Sequence, residues 1–584
     1  MQSSFQCLGK VAALSAMLAL QACGGGGGSE TTTGGGATTP TTPTTPTAPA
    51  GPVITPTLAN PGNPVTTASV AITGVATYDS VAYTSASNAG LNYAGAVRKP
   101  IRAVTVQAVS PSNVVLASTT SSDTGSYTLN VPSGAQFSIL VRAELLKTSG
   151  ASQWNVTLRD NVVDTDNPNG SAPWVVQSSA VCTAAAAAVC SFNATTGWST
   201  SANAYTGFRA AGLFALLDTV YEGMKLINTA QPSALFPTLN IFWSERNIAS
   251  SGNLVEGDIG TSFFAGGTAA SGAVSRSLYI LGAANNDTDE FDGSIIAHEY
   301  GHYLQSAFSV NPSTGGSHSG NDKLDMTLAF GEAWGNAYSS MARKDPIYAD
   351  SLGPRQAGGF TNNLGTAPTD ASRGWYRENS LGNVLYAFFT NSSGGFTPIW
   401  TALTGPMKTS QDALATVFSF AAAVRSGGNA AASSALNTLL AAQNIGTAGA
   451  DQWGSTESNN GGNASNLPVY AQLALGTATP VCFINTNVTD DTANKLGSIR
   501  YYRFTLASAG TRTVTANFAA GRDIDFDVFQ RGELVARAAA DNLPAGTSES
   551  KSVNLAAGEV VIRVKDYVTT SPPVGANCAT LRVN

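Results

Sequence analysis

Histidine is nearly absent from this chain, with three residues in 584. Charge is scarce too: Asp, Glu, Lys and Arg make up 11%, against about a quarter in an ordinary globular protein. Gly, Ala, Ser and Thr fill the difference. The balance is acidic, with a net charge of −7 and no basic stripe, which excludes the electrostatic footprint of a nucleic-acid-binding protein. Cysteine numbers six, with no CxxC spacing, and that argues against a thiolate metal site. The apolar run from Val11 to Leu20 is too short to span a bilayer as a helix.

Against that scarcity, two of the three histidines stand in His298-Glu299-Tyr300-Gly301-His302. Residues four apart share one face of a helix, so both imidazoles can reach one metal ion. Glu299 lies beside them, placed to take a proton from a metal-bound water. Ile295, Ile296, Tyr300, Tyr303 and Leu304 are spaced for the buried side of the same helix. Asp292 or Ser294 can serve as its N-cap.

A catalytic zinc site takes three protein ligands and a water. A third histidine six residues beyond His302 is missing, because Phe308 stands there. The remaining candidates are His318, in the loop Gly315–Gly320, and Glu332, in Phe330-Gly331-Glu332-Ala333-Trp334-Gly335-Asn336. Glu332 is preferred, since its surroundings read as a helix and give the carboxylate a rigid support. Asn336 follows one turn later, where its side-chain carbonyl can accept the free N–H of a metal-bound histidine.

HEYGH followed by GEAWGN resembles the gluzincin metallopeptidases, the thermolysin and fungalysin kind. The resemblance covers about 290 to 345 well and the rest of the central region in outline. It implies zinc held by His298, His302 and Glu332, Glu299 as general base, and Asn336 where the family places an aspartate. Asn keeps the acceptor but loses the charge. A second departure is that no histidine follows His318, although thermolysin-like enzymes carry a downstream histidine that stabilises the oxyanion. Tyr376, Arg377 and His318 are the candidates for that role.

The chain as a whole is expected to be multidomain: an α+β gluzincin-type catalytic domain flanked by two small all-β sandwich domains. Residues 1–22 read as a signal segment, and Leu20-Gln21-Ala22-Cys23 resembles a bacterial lipobox, which implies a lipid on Cys23. Residues 23–64 are a Thr/Pro/Gly tether. Residues 65–170 alternate as strands do, and SDTGSYTLNVPSG resembles carboxypeptidase-regulatory-like β-sandwiches. The catalytic unit is expected over 175–475, and Ser277–Leu281 is its expected edge strand for pairing with an extended substrate.

Residues 478–584 return to strands. YYRFTLASAG, DIDFDVF and LAAGEVVIRV resemble the pre-peptidase C-terminal domain of secreted bacterial proteases. Asp523, Asp525 and Asp527 share a strand face there, either as a calcium site or as a solvated acidic edge. Cys182, Cys190, Cys482 and Cys578 form an even set. Cys182–Cys190 and Cys482–Cys578 are the expected pairs, each within one unit, although three connectivities are open on sequence alone.

The functional expectation is an exported zinc peptidase acting on polypeptides, lipid-anchored in the cell envelope (the outer membrane if the host has one) or secreted. Gly282-Ala283-Ala284-Asn285-Asn286 lacks a glutamate to anchor a substrate α-amine, which favours an endopeptidase. A surface adhesion or glycan-binding lipoprotein with a degenerate peptidase fold, and a structural surface-layer protein, stay open as alternatives.

Overall fold

The structure, a computed structural model, describes residues 68–162, 173–266, 273–446, 451–484, 493–519, 522–539, 548–567 and 577–584. The signal segment, Cys23 and the tether therefore lie outside the described residues. Among those described, no helix is long and apolar enough to cross a membrane.

The expected boundary near residue 170 does not separate two units. One nine-stranded sheet runs, along its main path, in the order Phe263–Ala265, Ser277–Ile280, Leu239–Trp243, Trp154–Arg159, Gln136–Lys147, Val104–Val109, Val115–Thr120. The join is the parallel pairing of Leu239–Trp243 with Trp154–Arg159, in which Leu239 faces Val156. Between those two strands the chain crosses over through helix α1, Ala210–Ala230, as parallel pairing requires. One apolar core then runs from Ile72, in the strand Ser69–Ser80, through Val424 in the helical region and on to Tyr501 and Val561 in the C-terminal part of the chain. The residues expected to form a separate sandwich over 65–170 thus share a sheet with the central unit. The expected edge strand also moves inward: Ser277–Ile280 is flanked on both sides, and among the described residues Phe263–Ala265 is the edge.

Two helices carry the motifs. Helix α2 spans Gly293–Phe308, and every residue from Ser294 to Gln305 is buried. Burial therefore extends beyond the apolar face and takes in the polar side chains of Ser294, His298, Glu299, His302 and Gln305. Asp292 occupies the N-cap position, but its carboxylate makes no cap hydrogen bond and accepts instead from Ser351 N at 3.0 Å and Ser351 Oγ at 2.6 Å. Helix α3 spans Met326–Arg343, capped by Asp325, whose side chain accepts from Thr327 N and Leu328 N. The helices meet at glycines. A Cβ on Gly301 would lie 3.3 Å from Gly335 Cα, and Trp334 Nε1 donates to Gly301 O at 2.9 Å. This close approach lets side chains on α2 reach side chains on α3.

The C-terminal unit has its own core, including Val481, Phe504, Val514, Phe526 and Val560, between a five-stranded and a four-stranded sheet. The protein is therefore multidomain, with the second unit all-β. The strand Ile524–Gln530 that carries Asp525 and Asp527 is not an edge, because it pairs with Glu533–Ala538 on one side and Gly558–Asp566 on the other. Disulfides join Cys182 to Cys190 and Cys482 to Cys578. The latter pair is directly cross-strand.

Candidate metal centre

Helix α2 presents His298 and His302 one turn apart, and α3 presents Glu332 opposite them. His302 Nε2 lies 3.0 Å from His298 Nε2. Glu332 Oε2 lies 3.2 Å from His298 Nε2 and 3.4 Å from His302 Nε2. The triangle is small enough for one point to lie at zinc-ligand bond length, about 2.0–2.1 Å, from all three atoms. Two imidazole nitrogens and a carboxylate oxygen are also the donor set that zinc prefers, so the residues fit the ion. All three are buried. Glu299, 1% exposed, follows His298 on the same helix.

Around the three lies a hydrogen-bonded shell. His298 Nδ1 is 2.8 Å from Asn336 Oδ1. If Nδ1–H donates there, the Nε2 lone pair is left facing the cluster. Asn336 Nδ2 in turn donates to Glu378 Oε1 at 2.5 Å. Glu378 is the first residue of helix α4, Glu378–Thr390, and is 2% exposed. Sequence reading missed it. It directly follows Tyr376 and Arg377, the two residues that were chosen instead.

Those two neighbours are not brought to the cluster. The Tyr376 hydroxyl bonds to Asn459 Oδ1 at 3.2 Å. Arg377 donates to Asp370 at 2.6 Å, to Ser372 and to Asn321. His318 is brought in: its Nε2 lies 3.4 Å from Glu332 Oε2 and 3.6 Å from Glu378 Oε2. Its loop is held from the C-terminal unit, where Asn494 Nδ2 donates to Gly315 O at 2.9 Å and to Ser317 O at 3.0 Å, and Lys495 Nζ donates to Ser317 O at 2.7 Å.

The electrostatics follow from packing these charges together. Burial would raise the Glu332 carboxyl, but the imidazoles of His318 and His302 outweigh it and hold the group well below the ordinary carboxylate range. Burial would lower His318, but Glu332 and then Glu378 outweigh it and push the imidazole up to about 10. Burial raises Glu378, with His318 opposing.

The acidic strand of the C-terminal unit is arranged differently. Asp527 accepts from Arg537 at 2.6 Å and from Arg563 at 2.7 Å, so its oxygens are taken by guanidinium groups. Burial, and then the neighbouring acids, push Asp525 up to about 7.

No protein-family model matches the chain, and no curated protein matches it. Among solved structures the chain is similar to the pre-peptidase C-terminal domain of collagenase from Bacillus anthracis, at 16% identity over 20% of this chain and 94% of that one, with a TM-score of 0.16. It is also similar to PliG of Aeromonas hydrophila, a periplasmic inhibitor of g-type lysozyme, at 13% identity over 20% of this chain and 94% of that one, TM-score 0.14. A cycloisomaltooligosaccharide glucanotransferase of Paenibacillus sp. is similar over 88% of this chain and 72% of its own length, at 9% identity and TM-score 0.12. Likenesses at these scores assign neither fold nor activity.

Proposed function

We propose that the chain is an exported zinc-dependent peptidase of the gluzincin type, an endopeptidase that cleaves polypeptides with water. The observation that carries this reading is the convergence of His298, His302 and Glu332 from two helices to mutual distances of 3.0–3.4 Å. His298, His302 and Glu332 would hold the ion. Zinc, when bound, supplies Lewis acidity that polarises a carbonyl and brings the pKa of water towards about 7. Glu299 takes the proton of the attacking water and returns it to the leaving amine. His318 is the imidazole nearest the cluster and is assigned the donation to the developing oxyanion. Phe263–Ala265, the edge strand among the described residues, is where an extended substrate would pair. The two disulfides fit an oxidising compartment, and Cys23 would carry a lipid anchoring the chain in the envelope.

The test is hydrolysis of casein and of blocked peptides by purified protein, run beside metal analysis. One zinc per chain, activity lost to a chelator and activity restored by zinc are the expected results. Cleavage that survives complete removal of metal would sink the reading. A second reading draws on His318: a nitrogen 3.4 Å from Glu332 Oε2 can close the site as a fourth ligand, giving a structural ion in a degenerate peptidase fold used for adhesion. Stoichiometric zinc without hydrolysis of any peptide would favour that reading.

Glu378 supplies, through Asn336, the negative charge that Asn336 itself lacks. Glu378→Gln is expected to keep the packing and lower zinc affinity by about 10–100-fold. Competition against a chromophoric chelator reads this directly, and an unchanged affinity would show that the carboxylate does not act through Asn336.

A further inference from the structure

Four aspartates crowd the N-terminal end of α2. They are Asp287 on the short strand Asp287–Thr288, Asp289, Asp292 at the N-cap position, and Asp350 on the strand Ile347–Leu352. Asp287, Asp289 and Asp350 each offer one carboxylate oxygen, and the three oxygens lie within 4.8 Å of one another. Asp289 is 3% exposed. Its Oδ2 accepts from Ser262 Oγ, yet its Oδ1 is buried and meets no donor among the described residues. The same is true of Asp287 Oδ1 and Asp350 Oδ1.

Asp292, by contrast, is served by Ser351, and the neighbouring Glu290 is paired with Arg209 at 2.5 Å. The charges that bear most on the three aspartates are one another, Asp292 and Glu290. Burial first, and then this mutual repulsion, pushes Asp289 and Asp350 well up and Asp287 up to about 7. A buried carboxylate left charged and uncompensated costs several kcal/mol, so the cluster is relieved either by protons on the carboxyls or by a cation held among their oxygens.

We propose that Asp287, Asp289 and Asp350 form a structural calcium site, separate from the histidine cluster. The donors are all oxygen, which suits a hard cation and not zinc. Two oxygens bonded to one ion at about 2.3–2.6 Å can stand up to about 4.6–5.2 Å apart, and no two of the three are further apart than 4.8 Å. The ion would tie the strand entering α2 to the strand that follows α3, fixing the start of one motif helix against the exit of the other. The inference does not depend on what the histidine cluster does.

The test keeps zinc saturating throughout, so that the histidine cluster takes no part. Calcium uptake is measured by equilibrium dialysis of the full chain, and thermal unfolding by calorimetry with and without millimolar calcium. The wild type is expected to take up about one calcium and to gain about 3 °C or more in Tm. Asp289→Asn, and separately the less buried Asp287→Asn, are expected to lose both effects. Asp525→Asn, in the C-terminal unit, is expected to retain them. No uptake by the wild type, with Asp287→Asn or Asp289→Asn more stable than wild type, would overturn the proposal in favour of protons shared among the carboxyls. Uptake and a Tm gain that persist in Asp287→Asn and Asp289→Asn would place the calcium elsewhere and overturn it too.

Discussion

Glu299→Gln is expected to lower kcat for peptide cleavage by about 10²–10⁴-fold and to leave zinc content unchanged. The amide is isosteric with the carboxylate, so the packing of a residue 1% exposed in the middle of α2 is preserved. What the amide cannot do is accept a proton. Glu299 is not one of the three residues whose donor atoms converge, so the ion should stay in place at wild-type affinity. The dissociation is diagnostic, because a purely structural role would move stability or metal content before it moved kcat. Calorimetry, zinc analysis and peptide kinetics on the same preparation read the three quantities. A Gln variant within tenfold of wild-type kcat would leave the proposed chemistry without a base.

How much of this was legible in sequence divides along the range of the interactions. The motif helices were readable because their signals are local. His298 and His302 stand at i and i+4, and the surroundings of Glu332, which read as a helix, lie within α3, Met326–Arg343. Glu332 could be singled out because a second helix was needed and it carried the acid. Both disulfides match the expectation that each pair of cysteines falls within one unit.

The sheet was not readable, since strand pairing is set by register over long separations. Nothing local in Leu239–Trp243 says that it adds to Trp154–Arg159 and so joins an expected separate sandwich to the central unit. The same limit put Ser277–Leu281 at an edge it does not occupy. Glu378 was missed because its role arises only once α4 packs on α3, where Asn336 bridges it to His298. Tyr376 and Arg377 were chosen on residue type, and type does not say where a side chain points. Asp292 likewise looked like a cap and instead bonds Ser351, fifty-nine residues away in sequence.

Gly335→Ala is expected to lower kcat by about 10²-fold or more together with zinc affinity, against the usual direction for such a change. In an ordinary helix, replacing Gly by Ala gains about 0.5–1 kcal/mol through reduced backbone entropy. Here the added Cβ would stand 2.8 Å from His298 Cε1 and 2.9 Å from both Nδ1 and Nε2, closer than real Cβ contacts come. The imidazole cannot yield freely. Asn336 holds its Nδ1, and Gly301 packs against the same glycine from α2. Overpacking of this kind costs about 1–3 kcal/mol, so the net effect on stability is a loss. The ring must tilt or the helices part, and either movement breaks up the triangle of His298, His302 and Glu332. Gly331→Ala is the control, one turn earlier on α3, where the nearest atoms to a new Cβ lie 3.7–4.0 Å away. It is expected to be neutral or slightly stabilising with zinc binding intact. Zinc titration, calorimetry and peptide kinetics on the two variants give the comparison. If Gly335→Ala matched its control in all three, His298 would not be held against that glycine, and the metal centre would have to be built some other way.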